Sequence, residues 1–336
     1  MDLHAPYPAL ADLHRAAKRR IPHFVWEYLD SATGLEASKA RNRTKLDEVL
    51  MMPSVLHGEI TPDLSVDFLG HTLPLPFGIA PLGMSGLIWP NAETILASKA
   101  ATLDIPYTLS TVATRSPEDI APSLGQHGWF QLYPPRDEGI RRDMLERVKA
   151  NGFHTLVLTV DVPVASRRER QIRGGLRQPP KITPRLLAQI ALCPAWALGT
   201  ARLGMPRMRT LDKYIDQVKD AGEERSSTAH IGYLLRTSPD WEYVHWLRDN
   251  WDGKLILKGV LDVRDVTKSE ATGIDALWLC NQAGRQFDSA PAPIEVLPRI
   301  RPATKLPLIM DSGIEGGLDI LRAYALGADF VMLGRA

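Results

Sequence analysis

Short apolar runs recur along the chain, each bounded by proline, glycine or polar residues. They read "FGIAP" (77–81), "PYTLS" (106–110), "WFQLY" (129–133), "TLVLTVD" (155–161), "KLILKGV" (254–260), "ALWLCN" (276–281), "PLIMDSG" (307–313) and "DFVMLGR" (329–335). Their length and flanks fit buried strands better than fragments of helix. Between most of them lie amphipathic stretches such as "AETILASKAAT", "EGIRRDMLERVKANG" and "GLDILRAYALG", which predict helices. Eight such strands predict an α/β chain folded as a (β/α)₈ TIM barrel, with the active site at the C-terminal strand ends, where polar residues cluster. A doubly wound sheet is the rival architecture, weakened by the lack of a glycine-rich dinucleotide fingerprint after the first strand.

Two parts depart from the bare repeat. Residues 1–76 read as a helical preface, with "FVWEYLDSATG" (24–34) ending one helix. Residues 162–253 form a long insertion after the fourth strand, rich in arginine and proline, of the kind that serves barrels as a lid or specificity loop. Together, 1–336 read as a single domain. The last strand runs almost to Ala336, so the eighth helix is absent from this sequence. Such a seam would be exposed, and the sequence reads as a fragment in preference to a barrel covered by another chain.

Composition narrows the class. Hydrophobic content of 44% and charged content of 24% suit a soluble globular domain. A net charge of +1, with no basic face carrying interleaved aromatics, gives no case for nucleic acid. Cys193 and Cys280 form no redox or metal motif and read as buried thiols suited to a reducing cytoplasm. The N-terminus lacks a signal-peptide core, so a cytoplasmic location is expected. No cluster of histidine and carboxylate at a strand end suggests a metal. "LLAQIALCPAWALGTARLG" (186–204) is interrupted by Gln189, Pro194 and Arg202 and is too broken to supply the ~20 clean apolar residues of a membrane span. It reads as a cover packed on its own protein, with a peripheral contact at the cytoplasmic membrane, flanked by Arg185 and Arg202, as the alternative.

Several collinear motifs sit at the predicted strand ends: "APLGMSG" (80–86), "LSTVATRSPED" (109–119), "FQLY" (130–133), "LTVDVP" (158–163), "RRER" (167–170), "LKGV" (257–260), "GRQFD" (284–288) and "LGR" (333–335). In their order and spacing, from about Ile21 to Arg335, the chain resembles the FMN-dependent 2-hydroxy-acid dehydrogenase and oxidase family, which includes L-lactate dehydrogenase, glycolate oxidase and mandelate dehydrogenase. The resemblance implies FMN as cofactor. It places backbone from Pro81, Leu82 and Gly83 and side chains of Ser110, Gln131 and Thr159 around the flavin ring, with Lys258 at the edge where negative charge gathers on reduction. It assigns the phosphate to Asp311, Ser312, Gly313, Gly334 and Arg335. Glu315 stands where the family commonly has an arginine.

The same resemblance implies a small carboxylate substrate gripped by Arg168 and Arg285, with Tyr28 and Tyr133 as phenolic partners. Asp161 has the family role of orienting the catalytic histidine. The family reads Asn-His-Gly where this chain has Asn281, Gln282 and Ala283. A glutamine amide can hydrogen-bond a hydroxyl but has no basic nitrogen. Three readings follow: oxidation of a 2-hydroxy acid to the 2-oxo acid with a base from elsewhere, a divergent flavoenzyme acting on another substrate, or a non-catalytic flavin-binding module. A flavin-free TIM-barrel lyase or phosphatase is a further, less favoured alternative. The electron acceptor is open among oxygen, a quinone and a redox protein, and the family's habit of association predicts a homo-oligomer.

Overall fold

A computed structural model of the protein describes residues 5–164, 166–176, 183–214 and 238–336. All eight predicted runs form strands of one closed, parallel barrel. The strands are β3 (Phe77–Ile79), β4 (Tyr107–Ser110), β5 (Gly128–Leu132), β6 (Phe153–Thr159), β7 (Lys254–Lys258), β8 (Ala276–Leu279), β9 (Leu308–Met310) and β10 (Phe330–Leu333). The barrel closes where β10 pairs with β3, Val331 opposite Phe77. Helices cover it between strands. The segment Glu138–Ala150 shows why: Ile140, Met144, Leu145 and Val148 fall on one buried face, and the Asp137 carboxylate caps the helix by accepting from the Ile140 amide.

A hairpin of β1 (Val66–Phe68) and β2 (His71–Leu73), within the predicted preface, closes the barrel floor. Phe68 stacks on Phe330 with ring centroids 4.6 Å apart, above an interior of Trp129, Val157, Ile256, Trp278 and Ile309. The floor is therefore dry and packed, and any pocket must open at the other end.

The preface holds three helices, α1 (Leu10–Arg20), α2 (His23–Asp30) and α3 (Ala37–Asp47). They lie across the C-terminal strand ends instead of standing apart. Asn42 on α3 and Asn281 after β8 exchange amide hydrogen bonds of 3.0 and 2.7 Å, both residues buried. Arg43 donates two bonds of 2.7 Å to Asp319.

The described part of the insertion includes short helices at Glu169–Gly174, Pro184–Ala191 and Pro194–Leu203. The expected cover at 186–204 is half borne out. Leu186, Cys193 and Trp196 pack on Phe24, Val25 and Trp26 of α2, while Leu187, Leu192, Leu198 and Leu203 face outward. No single helix among the described residues is long and apolar enough to cross a membrane.

Candidate active site

The C-terminal strand ends surround a cavity with about 780 Å³ of space between atoms, the open solvent at its mouth included. Most of the residues predicted from sequence line it: Tyr28 from α2, Pro81–Gly83 after β3, Ser110, Gln131, Tyr133 and Thr159 from β4 to β6, and Lys258 ending β7. Arg168, Gln282, Arg285 and Arg335 complete the wall. Val112, Val162 and Gln286 also line it and were not foreseen, because nothing in their local sequence distinguishes them.

One wall is a polar ladder across three adjacent strands. Ser110 Oγ donates to Gln131 Oε1 at 2.7 Å, and Gln131 Nε2 donates to Thr159 Oγ1 at 3.0 Å. All three residues are buried. None spends its side chain on capping the helix that follows, the ordinary use of serine or threonine there. The Tyr28 hydroxyl donates to the Gly83 carbonyl at 2.9 Å, and a Cβ on Gly83 would meet Val112 at 2.9 Å, so this packing leaves no room for a side chain. Burial pushes the Tyr133 phenol up to about 12, against the pull of Lys258.

Lys258 is almost fully buried, and the anionic partner it requires is Asp311 at 3.5 Å. Its Nζ also lies 2.7 Å from Cys280 Sγ and 5.0 Å from the Trp278 ring centroid. Burial alone would lower its pKa, but Asp311, Cys280 and Asp161 outweigh that and hold it above the ordinary lysine value. Lys258 is therefore a fixed positive charge. Cys280 is buried among apolar residues of the barrel interior as expected, and its sulfur also meets this ammonium.

Gln282 occupies the place expected for a base. Its Nε2 donates to Asp161 Oδ1 at 2.9 Å. Burial raises the Asp161 carboxyl above its usual range, with Lys258 and the Gln282 bond acting in the opposite direction. Gly259 permits this packing: with φ of +109°, its absent Cβ would stand 2.6 Å from Asp161. Gln282 and Ala283 both adopt left-handed backbone, φ 53° and 50°, a conformation that costs an alanine about 1–2 kcal/mol. Among the described residues no histidine lines the cavity. His127 sits beside His71 and Asp104 near the floor hairpin, and His230 lies outside the described residues.

The arginines differ from the simplest expectation. Arg285 Nε donates to the Ser31 carbonyl at 3.2 Å, and its Nη2 donates to the carbonyls of Tyr28 and Leu29. That edge of the fork ties the end of α2 to the barrel, so Nη1 is the donor left for a ligand. Burial, with Arg168 and Arg335 nearby, pulls the Arg285 guanidinium down to about 9. Arg335 bonds the carbonyls of Asp30 and Ala283, both at 3.1 Å, and burial lowers its pKa too. The Arg168 side chain donates to Ser166 Oγ at 3.4 Å, its one side-chain hydrogen bond among the described residues. Three guanidinium groups thus meet in one cavity whose wall contains no carboxylate among the described residues. The cavity is short of negative charge, which is what a carboxylate substrate and a phosphorylated cofactor would bring.

Asp311, Ser312, Gly313 and Gly334 do not line this cavity. Asp311 faces Lys258, and Ser312 Oγ donates to Asp311 at 2.7 Å while accepting from the Ala283 amide at 3.2 Å. Gly313 packs against Asn42 and Leu46 of α3. The Asp311 carboxylate is held by the buried lysine and would repel a phosphate, so this loop could offer a phosphate only its backbone. Glu315, the acidic departure, is exposed, with its backbone amide donating to Asp319 at 3.0 Å.

One residue that local pattern could not disclose is Arg170. It donates to Glu27 at 2.8 and 3.1 Å, to Asp30 at 2.8 Å and to Glu36 at 2.8 Å. It fastens the insertion helix that begins just after Arg168 onto α2 and the loop before α3.

The sequence matches the family model described as FMN-dependent dehydrogenase over residues 17–336. The L-lactate dehydrogenases of Ectopseudomonas mendocina and Vibrio cholerae are each 36% identical over 334 residues, covering 98% of this chain and 86% of theirs. A crystal structure of (S)-mandelate dehydrogenase, described as a monotopic membrane protein, superimposes with a TM-score of 0.90 at 34% identity, covering 97% of this chain and 86% of that one. A mandelate oxidase with (S)-4-hydroxymandelic acid gives 0.80 at 31%, covering 98% and 86%.

Proposed function

The chain belongs to the FMN-dependent dehydrogenases, and from that premise we propose how its cavity oxidises a 2-hydroxy acid without a histidine at position 282. The observation that carries the reading is the convergence of Arg168, Arg285 and Arg335 on a cavity without a carboxylate, beside the fixed charge of Lys258. Two anions fit that deficit. The substrate carboxylate meets Arg168 and the free Nη1 of Arg285, with Tyr28 and Tyr133 as hydroxyl partners. The cofactor phosphate meets Arg335 and backbone of the Asp311–Gly313 loop.

FMN, when bound, supplies the two-electron acceptor. Pro81–Gly83, Ser110, Gln131 and Thr159 hold its ring, and Lys258 stabilises the charge that gathers at its edge. Gln282 orients the substrate hydroxyl through its amide oxygen while its nitrogen stays on Asp161. It takes no proton, so the hydroxyl proton would leave to solvent water at the cavity mouth while the carbon-bound hydrogen departs with the electron pair, and turnover is slow: general-base catalysis ordinarily contributes about 10²–10⁴-fold. Because (S)-mandelate dehydrogenase is described as a monotopic membrane protein, and because leucines on the Pro184–Leu203 segment face outward, we extend peripheral membrane contact to this chain.

The test is the visible spectrum of the FMN-loaded protein before and after anaerobic addition of L-lactate, glycolate and mandelate. Slow bleaching by at least one of them is expected. A flavin band that stays oxidised with all three would overturn the hydroxy-acid reading and favour another substrate.

A further inference from the structure

The Gln282 amide can sit only one way round. A carboxylate accepts hydrogen bonds and cannot donate one, so the amide nitrogen must face Asp161, 2.9 Å away, and the oxygen turns from it. Gln282 lines the cavity, and among the described residues its Oε1 takes no hydrogen bond and is not a buried atom. Residue 282 therefore offers a substrate one neutral acceptor and nothing that takes a proton. The phenols that share the cavity do not replace it. Burial pushes Tyr133 up to about 12, and Tyr28 spends its hydroxyl hydrogen on the Gly83 carbonyl.

An acceptor without a base separates two kinds of carbon–hydrogen bond. When a carbon bearing a hydroxyl gives up its hydrogen with the electron pair, the product is a protonated carbonyl unless the hydroxyl proton leaves as well. A protonated carbonyl is a very strong acid, so the missing base costs an alcohol about 10²–10⁴-fold. When the carbon bears a neutral amine, the nitrogen lone pair closes a C=N bond, and the product is an iminium ion, which persists at neutral pH. No proton has to move. The N–H bonds grow more acidic as that charge develops, so a hydrogen bond from the amine to Gln282 Oε1 strengthens toward the transition state.

We propose that the cavity also oxidises 2-amino acids, bound as the neutral amine with the nitrogen at Gln282 Oε1 and the carboxylate on Arg168 and Arg285. The inference rests on the carboxylate grip proposed above and names a second substrate class for it. The Cα hydrogen leaves with both electrons as hydride to the flavin, and the nitrogen lone pair forms the C=N bond. Water then adds to the iminium carbon, releasing ammonium and the 2-oxo acid. Charge selects the form of the amine. Three guanidinium groups and the Lys258 ammonium line the cavity, with no carboxylate in the wall among the described residues. They oppose a further cation and favour the uncharged amine, the form whose lone pair is free to react.

The first arm of the test uses ligands that cannot turn over. In 2-aminoisobutyrate and 2-hydroxyisobutyrate a methyl group replaces the Cα hydrogen, and calorimetry on the FMN-loaded protein reads their affinities. Both should bind. The arginines, Lys258, Asp161 and the two tyrosines face both ligands alike, so any difference in pH dependence belongs to the amine. From about pH 7 to 8 the amino ligand should gain about tenfold over the hydroxy ligand. Gln282→Met removes the acceptor and should weaken the amino ligand by roughly tenfold. The second arm is anaerobic bleaching of the flavin by glycine, L-alanine and phenylglycine, with released ammonium assayed. Gln282→His should speed bleaching by hydroxy acids and bring the amino acids no comparable gain; an equal gain for both classes overturns the inference. So does a hydroxy ligand that binds where the amino ligand does not, or a flavin that all three amino acids leave oxidised, and the hydroxy-acid reading then stands. Bleaching by amino acids alone supports the inference and sinks the hydroxy-acid reading. If neither isobutyrate binds, both fall.

Discussion

Gln282→His should convert a slow oxidase into a fast one, and the structure sets the size of the gain. The Gln282 amide already donates to Asp161 at 2.9 Å, so an imidazole in its place inherits the same partner. One ring nitrogen then donates to the carboxylate, which fixes the tautomer and leaves the other nitrogen free toward the cavity. The backbone raises no obstacle: φ at 282 is 53°, and histidine is among the residues enriched in that region. A general base contributes about 10²–10⁴-fold, or about 3–5 kcal/mol of barrier. The rate of flavin reduction by a 2-hydroxy acid should rise by that factor, with KM nearly unchanged because Arg168 and Arg285 are untouched. The signature is a new ascending limb in the pH–rate profile, since an amide does not titrate and an imidazole does. Anaerobic stopped-flow at the flavin band, over about pH 5 to 9, reads both quantities. A variant that binds flavin and substrate normally but shows neither gain nor limb would refute the idea that the substrate proton leaves toward residue 282.

Three further outcomes are expected. Lys258→Met should slow flavin reduction by about 10²–10³-fold while leaving the flavin bound, because it deletes the one buried cation at the β7 end; an unchanged rate in stopped-flow would remove Lys258 from the flavin edge. Arg170→Gln should raise KM by roughly tenfold, about 1.4 kcal/mol, with a smaller fall in kcat. It releases Glu27, Asp30 and Glu36 and lets the helix after Arg168 drift, and steady-state kinetics with Arg170→Lys as a partial rescue check it. Asp319→Asn should cost about 1.5–3 kcal/mol at neutral pH by weakening the charged hydrogen bonds of Arg43 and Arg322, which keep Asp47 as their other carboxylate. Burial opposes ionisation of Asp319, but those two arginines and the Glu315 amide hold its carboxyl below the usual value of 3.8. Its contribution is therefore complete above the unfolded pKa and is lost as pH falls through the lower folded value. Urea midpoints of parent and variant should converge on acidification below 3.8 and stay apart above it.

The barrel was legible because each strand is a local event. A run such as "TLVLTVD" declares burial on both faces within seven letters, and its last polar residues land at the cavity by geometry alone. Thr159, Lys258 and Gln131, which the resemblance assigns to the flavin, lie at such strand ends. What stayed hidden depends on partners far along the chain. Arg285 looked like a free clamp because the carbonyls it binds, those of Tyr28 to Ser31, lie more than 250 positions earlier. Arg170 enters the sequence reading only as the last letter of "RRER", because its three carboxylates belong to the preface. Asp311 and Ser312 matched a phosphate loop by spelling, but the lysine one strand away claims them first. The floor hairpin was missed for another reason: strands of three residues are too short to show a period.

The preface also sets an order in time. Asp30 reaches Arg335 across 305 positions and Arg43 reaches Asp319 across 276. On a ribosome the helices that roof the cavity emerge first, and the strands they must clasp emerge last. Until then Asn42 has no Asn281 to exchange with, and Glu27, Asp30 and Glu36 face one another without Arg170. The flavin site is thus among the last features the nascent chain can complete, and a stalled chain would expose apolar helices long before it could hold a cofactor.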